Sequence, residues 1–329
     1  MGARQSSPGK FGMRCFVTGG AGFIGSTLVD RLLSEGSEVV AYDNLSTGFP
    51  EFLEAAGASP AFRFVEGDIL DEAALTQAMK GVDIVYHLSA NADIREGMKS
   101  PRRDLDQNTI GTFNVLEAMR ANGCSQIAFA SSSAVYGDAA VVPTPENVAM
   151  PVQISLYGAS KLAGEGLISS YCGAFGFKAW IFRFVSVLGR RYTHGHVFDF
   201  VKQLRQDPSQ LRVLGDGLQR KSYMDVRDCV DGIRLAVEKA PDACNIFNLG
   251  NDNYINVNRS VELITGRMGI SPQLNYTGGA RGWVGDSPFI WLNPSRIKQL
   301  GWTPKTPIEE AVVETVDWLV GNNWALTRR

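Results

Sequence analysis

RCFVTGGAGFIGSTLVDRLLSEG, residues 14–36, runs from a short apolar segment through a cluster of glycines into a helical repeat. The apolar run reads as a buried strand. Ile24, Leu28 and Leu32 recur at helical spacing, and Gly36 closes the helix. Between strand and helix stand Gly19, Gly22 and Gly25. Each suits a distinct need: a tight turn, close backbone approach to a pyrophosphate, and close helix–strand packing. A helix N-terminus placed there aims N–H groups and its positive dipole end at phosphate. Turns collect glycine for other reasons, so the residues beyond the loop decide the reading. Asp43 ends the next strand, SEVVAYD, eighteen residues beyond Gly25. A carboxylate at that place accepts both hydroxyls of an adenosine ribose and repels a 2′-phosphate, which predicts NAD rather than NADP.

Outward from this unit the alternation continues through FRFVEGD, DEAALTQAMKG, DIVYHLSA, a long helix near 101–122, QIAFASS, the helix containing Tyr157, and KAWIFRF. Strands alternating with helices predict an α/β fold, a Rossmann-type doubly wound parallel sheet. After about residue 186 short strands (RVLG, NIFNLG, QLNYTG) mix with glycine-rich loops, predicting a smaller mixed α/β C-terminal lobe that binds substrate. We therefore expect a flexible extension over 1–12, a cofactor domain over 13–186, and a substrate lobe over 187–329. Segments near 226–250 are expected to return to the main domain.

The 32 basic and 34 acidic residues are dispersed, giving a net charge of −2 with no basic run for nucleic acid. Five cysteines without CxxC spacing fit reduced thiols in the cytoplasm better than a disulfide framework or zinc site. No apolar stretch reaches membrane-spanning length, so no membrane partner is expected.

SLYGASKLAGE, residues 155–165, places Tyr157 and Lys161 one helical turn apart. An ammonium beside a phenol favours the phenolate, which would adapt the pair for acid–base chemistry on an alcohol or ketone. ASSSAVYG, at the end of a strand, offers hydroxyls nearby. Glycine loop, acid, strand-end serine and YxxxK in this order resemble the extended short-chain dehydrogenase/reductase family. The resemblance runs from Met13 to about Trp318. Within the family it is strongest to NAD-dependent nucleotide-sugar epimerases of the UDP-glucose 4-epimerase type, through YDNLSTG, GDILD, HLSANADIR, NTIGTFNVLEAM, LGDGLQRKSYMDVRD and RGWVGD.

The resemblance implies that Gly19, Gly22, Phe23, Ile24 and Gly25 bind the pyrophosphate, and Asp43, Asn44 and Ser46 the adenosine ribose. Asp68 and Ile69 would lie beside adenine, with Leu88, Ser89, Ala90 and Asn108 completing the cofactor site. Ser133, Tyr157 and Lys161 would be the catalytic set: Tyr157 takes the proton of the sugar 4-hydroxyl, Lys161 lowers its pKa and holds the nicotinamide ribose, and Ser133 bonds the same oxygen. NAD would stay bound through each cycle. Arg281, with Asp286 nearby, and either Arg220 or Lys221 would meet the substrate diphosphate. Ser186 stands where the family has asparagine facing the substrate, and Arg190 follows Gly189 where proline is usual, which weakens the common sugar assignment.

The family's dehydratases and decarboxylases carry carboxylates at the segment that here is Ser133-Ala134, so reversible oxidation at C4 is the expected chemistry. A UDP-glucuronate or UDP-N-acetylhexosamine epimerase, a dehydratase or reductase, and a non-catalytic NAD sensor are the alternatives. A homodimer is expected, built from the helices after Pro101 and near Tyr157. His87 reads as a packed strand histidine, His194 and His196 lack a third metal ligand, and no metal is expected.

Overall fold

The computed structural model describes residues 12–91, 94–149 and 152–328. Apart from Gly12, the proposed extension lies outside them, as do Ala92 and Asp93 of HLSANADIR. Seven parallel strands form the main sheet: β1 (Arg14–Thr18), β2 (Glu38–Asp43), β3 (Phe62–Glu66), β4 (Ile84–His87), β5 (Gln126–Ser132), β6 (Lys178–Phe184) and β7 (Cys244–Leu249). Their order is β7-β6-β5-β4-β1-β2-β3. The central strands are continuous apolar runs because helices cover both faces.

The strand pleat divides each run between two cores. Val17, Ala41, Tyr86, Ala128 and Phe182 pack with Leu28 and Leu32 of α1 (Phe23–Ser34) and with Ile233 of the helix Val226–Lys239. Phe16, Val85, Ile127, Phe129 and Ile181 face the other way, onto Leu75 of α2 (Glu72–Ala78), Val115 and Leu116 of α3 (Gly111–Asn122), and Ile168 of α4 (Leu156–Phe175). With β1 flanked by β2 and β4, the chain leaves β1 and β4 in opposite directions. A crevice therefore opens at their carboxyl ends.

The helix expected near 101–122 is not uniform. Pro101–Asp104 runs into a wide π turn over Leu105–Ile110 before α3, and such turns often accompany functional sites. Beyond β6 the lobe is built of small sheets. Ser186–Leu188 pairs with Tyr223–Asp225, Gln210–Val213 with Gln273–Tyr276, and Arg220–Lys221 lies between Ile255–Asn256 and Phe289–Ile290. The chain re-enters the main sheet at β7, parallel to β6.

Candidate active site

A cleft of about 740 Å³ lies over the carboxyl edge of the sheet, between it and the C-terminal lobe. At one end the glycine loop is packed to the limit. A Cβ on Gly25 would sit 2.0 Å from the Gly19 carbonyl oxygen, and one on Gly19, at φ +68°, 2.8 Å from the Ser89 nitrogen. Gly22 caps α1 without a side chain, so the N–H groups of the first turn have no capping oxygen. Gly19, Gly22, Phe23, Ile24 and Gly25 all line the cleft.

The Asp43 carboxylate is fastened to this loop, accepting from the Ala21 N–H at 3.0 Å and the Leu45 N–H at 2.8 Å. Burial raises its pKa and these two donors oppose the rise. Asn44, Ser46, Ile69, Leu88, Ser89 and Ala90 continue the wall. A donor-rich glycine cradle beside a carboxylate fits the diphosphate and free ribose hydroxyls of a dinucleotide. Asp68 does not line the cleft; it accepts from Asn44 Nδ2 at 2.9 Å. Asn108 lies behind the wall in the π turn, donating to Ser160 Oγ at 2.9 Å and accepting from the Asn91 N–H at 2.8 Å.

The candidate catalytic segment meets this end from β5 and α4. Ser131, also on the cleft wall, donates to Glu165 at 2.5 Å. Ser132, the next residue, lines the cleft with Tyr157, and its hydroxyl opposes the rise of the phenol's pKa. The sequence placed Ser133 on the oxygen of the sugar 4-hydroxyl. β5 ends one residue earlier, Ser132 caps the following turn by accepting from the Ala134 N–H at 3.1 Å, and Ser133 lines the cleft as the first residue of that turn. Ser132 is a second candidate hydroxyl that sequence reasoning did not single out, and the run of three serines at the strand end was the signal for it.

On α4, capped by Ser155, Tyr157 and Lys161 both line the cleft. Lys161 Nζ donates to the Ala130 carbonyl at 2.9 Å and is almost wholly buried. Burial pushes the Tyr157 pKa up to about 12, with Asp104 adding and Ser132 opposing. The expected depression by Lys161 is not what governs the phenol. Desolvation discharges the lysine itself, pulling its pKa to about 7 against the pull of Asp104 and Glu165.

A lysine pKa below its ordinary value of 10.5 means that the unfolded chain binds the proton more readily. Stability is therefore lost as pH falls from about 10.5 towards about 7, and is level below that. Lys161→Met is expected to be more stable than the parent in urea unfolding at about pH 6.5, with the gain shrinking at about pH 9.5. A gain that grew with pH would contradict this.

On the lobe side Ser186, Lys221 and Asp286 line the cleft; Arg220, Arg281 and Arg190 do not. Lys221 Nζ is paired with Asp286. Arg220 stacks on Phe289 at 4.0 Å, and Arg281 forks onto Asp138 at 2.7 and 3.1 Å. Arg190 is exposed, so the guanidinium expected beside the substrate is directed elsewhere. His194, His196 and Trp283 also line the cleft, with Tyr192 and Gln219, which the sequence did not single out. His87 is fully buried between the Thr18 and Thr112 hydroxyls, and burial pulls its pKa to about 3. Among the described residues no three His, Cys, Asp or Glu side chains cluster to hold a metal.

Residues 15–250 match the family described as "NAD dependent epimerase/dehydratase family". The chain belongs to that family. Among curated members of this epimerase/dehydratase family, it is 32% identical to the UDP-glucose 4-epimerase of Mycolicibacterium smegmatis, over 93% of this chain and 98% of that protein. The structure of a UDP-glucose 4-epimerase of Thermotoga maritima with UDP-glucose is 31% identical, with TM-score 0.86, covering 94% of this chain and 100% of that one. A UDP-glucuronic acid 4-epimerase from Bacillus cereus, in complex with UDP-glucuronic acid and NAD, is 25% identical with TM-score 0.86, over 94% and 99% of the two chains.

Proposed function

We propose that this protein is a nucleotide-sugar 4-epimerase of the UDP-glucose/UDP-galactose type that retains NAD. The observation that carries the reading is the convergence of Tyr157, Lys161 and Ser132 in one cleft with a glycine cradle and the Asp43 carboxylate. NAD, when bound, supplies the hydride acceptor and a positive ring charge that favours the phenolate. Tyr157 accepts the proton of the sugar 4-hydroxyl as C4 is oxidised, and returns it when the 4-keto carbonyl is reduced on its other face. Ser132 holds the same oxygen. Lys161, deep in the cleft, changes charge near neutrality and suits a contact with the nicotinamide ribose. Ser133-Ala134 offers no carboxylate for elimination or decarboxylation, which supports simple epimerisation.

Lys221 is the cation that supports diphosphate binding. Lys221, though paired with Asp286, is on the cleft wall, and Arg281, forked onto Asp138, is not. The exposed Ser186 favours a second reading, an epimerase for a hexose with a larger substituent such as a glucuronate or N-acetylhexosamine. Leu105, Ile110 and Phe113 with Leu156, all exposed on neighbouring helices, support a homodimer through that face. The five free cysteines suit a reducing compartment such as cytoplasm. Among the described residues no helix is long and apolar enough to cross a membrane.

Purified protein given UDP-galactose without added NAD is expected to reach equilibrium with UDP-glucose, read by anion-exchange chromatography. No interconversion dismisses this sugar pair. Interconversion of UDP-glucuronate and UDP-galacturonate alone would keep the chemistry and change the sugar.

A further inference from the structure

Gln219 is 3% exposed and lines the cleft, yet neither its side-chain oxygen nor its nitrogen has a hydrogen-bond partner among the described residues. Buried amides nearly always find partners, so a donor and an acceptor both left unpartnered in the wall of a cleft point to a ligand. The loops around it are already committed to each other. The Gly215 N–H donates to Thr277 Oγ1 at 2.8 Å, the Gly278 N–H to the Gly215 carbonyl at 2.9 Å, and the Thr277 N–H to the Val213 carbonyl at 3.0 Å. The amide nitrogen occupies space that only glycine leaves: a Cβ on Gly215 would lie 1.7 Å from it. The Gln219 carbonyl accepts from the Val257 N–H at 3.1 Å, which fixes the backbone beneath the side chain.

Gln219 and Lys221 line the cleft while Arg220 between them does not, as the strand pleat requires. Their side chains are thus about 7 Å apart along one wall. Lys221 is paired with Asp286, and the neighbouring Gly285 abuts the start of α4, its Cβ position 2.9 Å from the Ile154 carbonyl oxygen. The wall therefore runs from the Tyr157 helix, past a cation, to an unpartnered amide. We propose that Gln219 reads the nucleobase of the sugar nucleotide, an inference that rests on the nucleotide-sugar assignment above. With the sugar at Tyr157 and the diphosphate at Lys221, the base arrives at Gln219. A planar edge holding N–H beside C=O, as in the imide of a pyrimidine-2,4-dione, satisfies both halves of the amide: the side-chain oxygen accepts from N3–H and the nitrogen donates to O4.

Calorimetric titration with UDP and with N3-methyl-UDP tests this without requiring turnover. The wild-type protein is expected to bind the methylated ligand at least about tenfold more weakly, because the donor is lost and the amide oxygen stays unpaired. Gln219→Met, close in shape, is expected to bind UDP about as weakly and to ignore the methyl group. Equal binding of the two ligands by the wild type, undiminished UDP binding by the variant, or no UDP binding at all would overturn the inference. The ligand change is made on the intact wild-type protein, so a misfolded variant does not decide the matter. Selective UDP binding without sugar interconversion would fail the epimerase assignment and support this one; interconversion with wild-type affinity in the variant would do the reverse.

Discussion

Tyr157→Phe is expected to lower kcat by about 10²- to 10⁴-fold, the range usual for loss of a positioned general acid–base group. The substitution removes one oxygen from a half-buried ring at the start of α4 and leaves its packing in place. What disappears is the proposed proton carrier beside Ser132. The cofactor contacts expected of the glycine loop and Asp43 lie on other elements, so NAD retention is expected to stay near the wild-type level. A non-catalytic NAD-binding protein would show no such separation, because nothing it does depends on that proton. The measurement is paired: initial rates with UDP-galactose, and NAD released on denaturation per protein chain. A variant that keeps more than about a tenth of the wild-type rate would remove Tyr157 from the chemistry, since that is less than the smallest effect expected of such a group.

The tight packing of the glycine loop and the place of Asp43 were legible in the sequence because both are requirements on the backbone. A Cβ on Gly25 collides with Gly19 whatever the rest of the chain does, and Asp43 ends a strand next to β1. The parallel sheet was legible for a similar reason, since apolar runs alternating with helical repeats leave few topologies. The choice between Ser132 and Ser133 was not, because it depends on where extended backbone gives way to a turn, and strand ends are poorly marked by local pattern. The pairing of Arg281 was not legible either, because its partner, Asp138, is 143 positions away, and no local rule shows such a pairing. The Tyr157–Lys161 spacing was visible but its electrostatics were not. Spacing brings the groups to one face; burial decides their charges, and here it opposes ionisation of both.

Glu165→Ala is expected to cost about 3–5 kcal/mol, the loss typical when one partner of a buried ion pair is removed and the other is left charged. Glu165 lies one turn beyond Lys161 on α4 and binds Arg183 of β6 through both oxygens, at 3.0 and 2.7 Å. The two side chains are 5% and 4% exposed, so water does not replace the lost carboxylate. Arg183 also donates to the Tyr136 hydroxyl at 2.8 Å and to the Glu146 carbonyl at 3.1 Å, and Tyr136 donates to Asn248 of β7 at 2.8 Å. Ser131 donates to Glu165 from the residue preceding Ser132. One pair thus ties α4, the end of β5, β6 and β7 together beneath the candidate active site. Exposed pairs such as Arg267–Asp317 contribute at most about 1 kcal/mol and serve as the internal control. Equilibrium urea unfolding at neutral pH reads the difference. Glu165→Met combined with Arg183→Met is expected to recover much of the loss, because the cost comes from the stranded guanidinium rather than from the missing attraction. A single-variant loss below about 1 kcal/mol would mean that Arg183 finds another partner or reaches water, and that the network does not hold the catalytic helix in place.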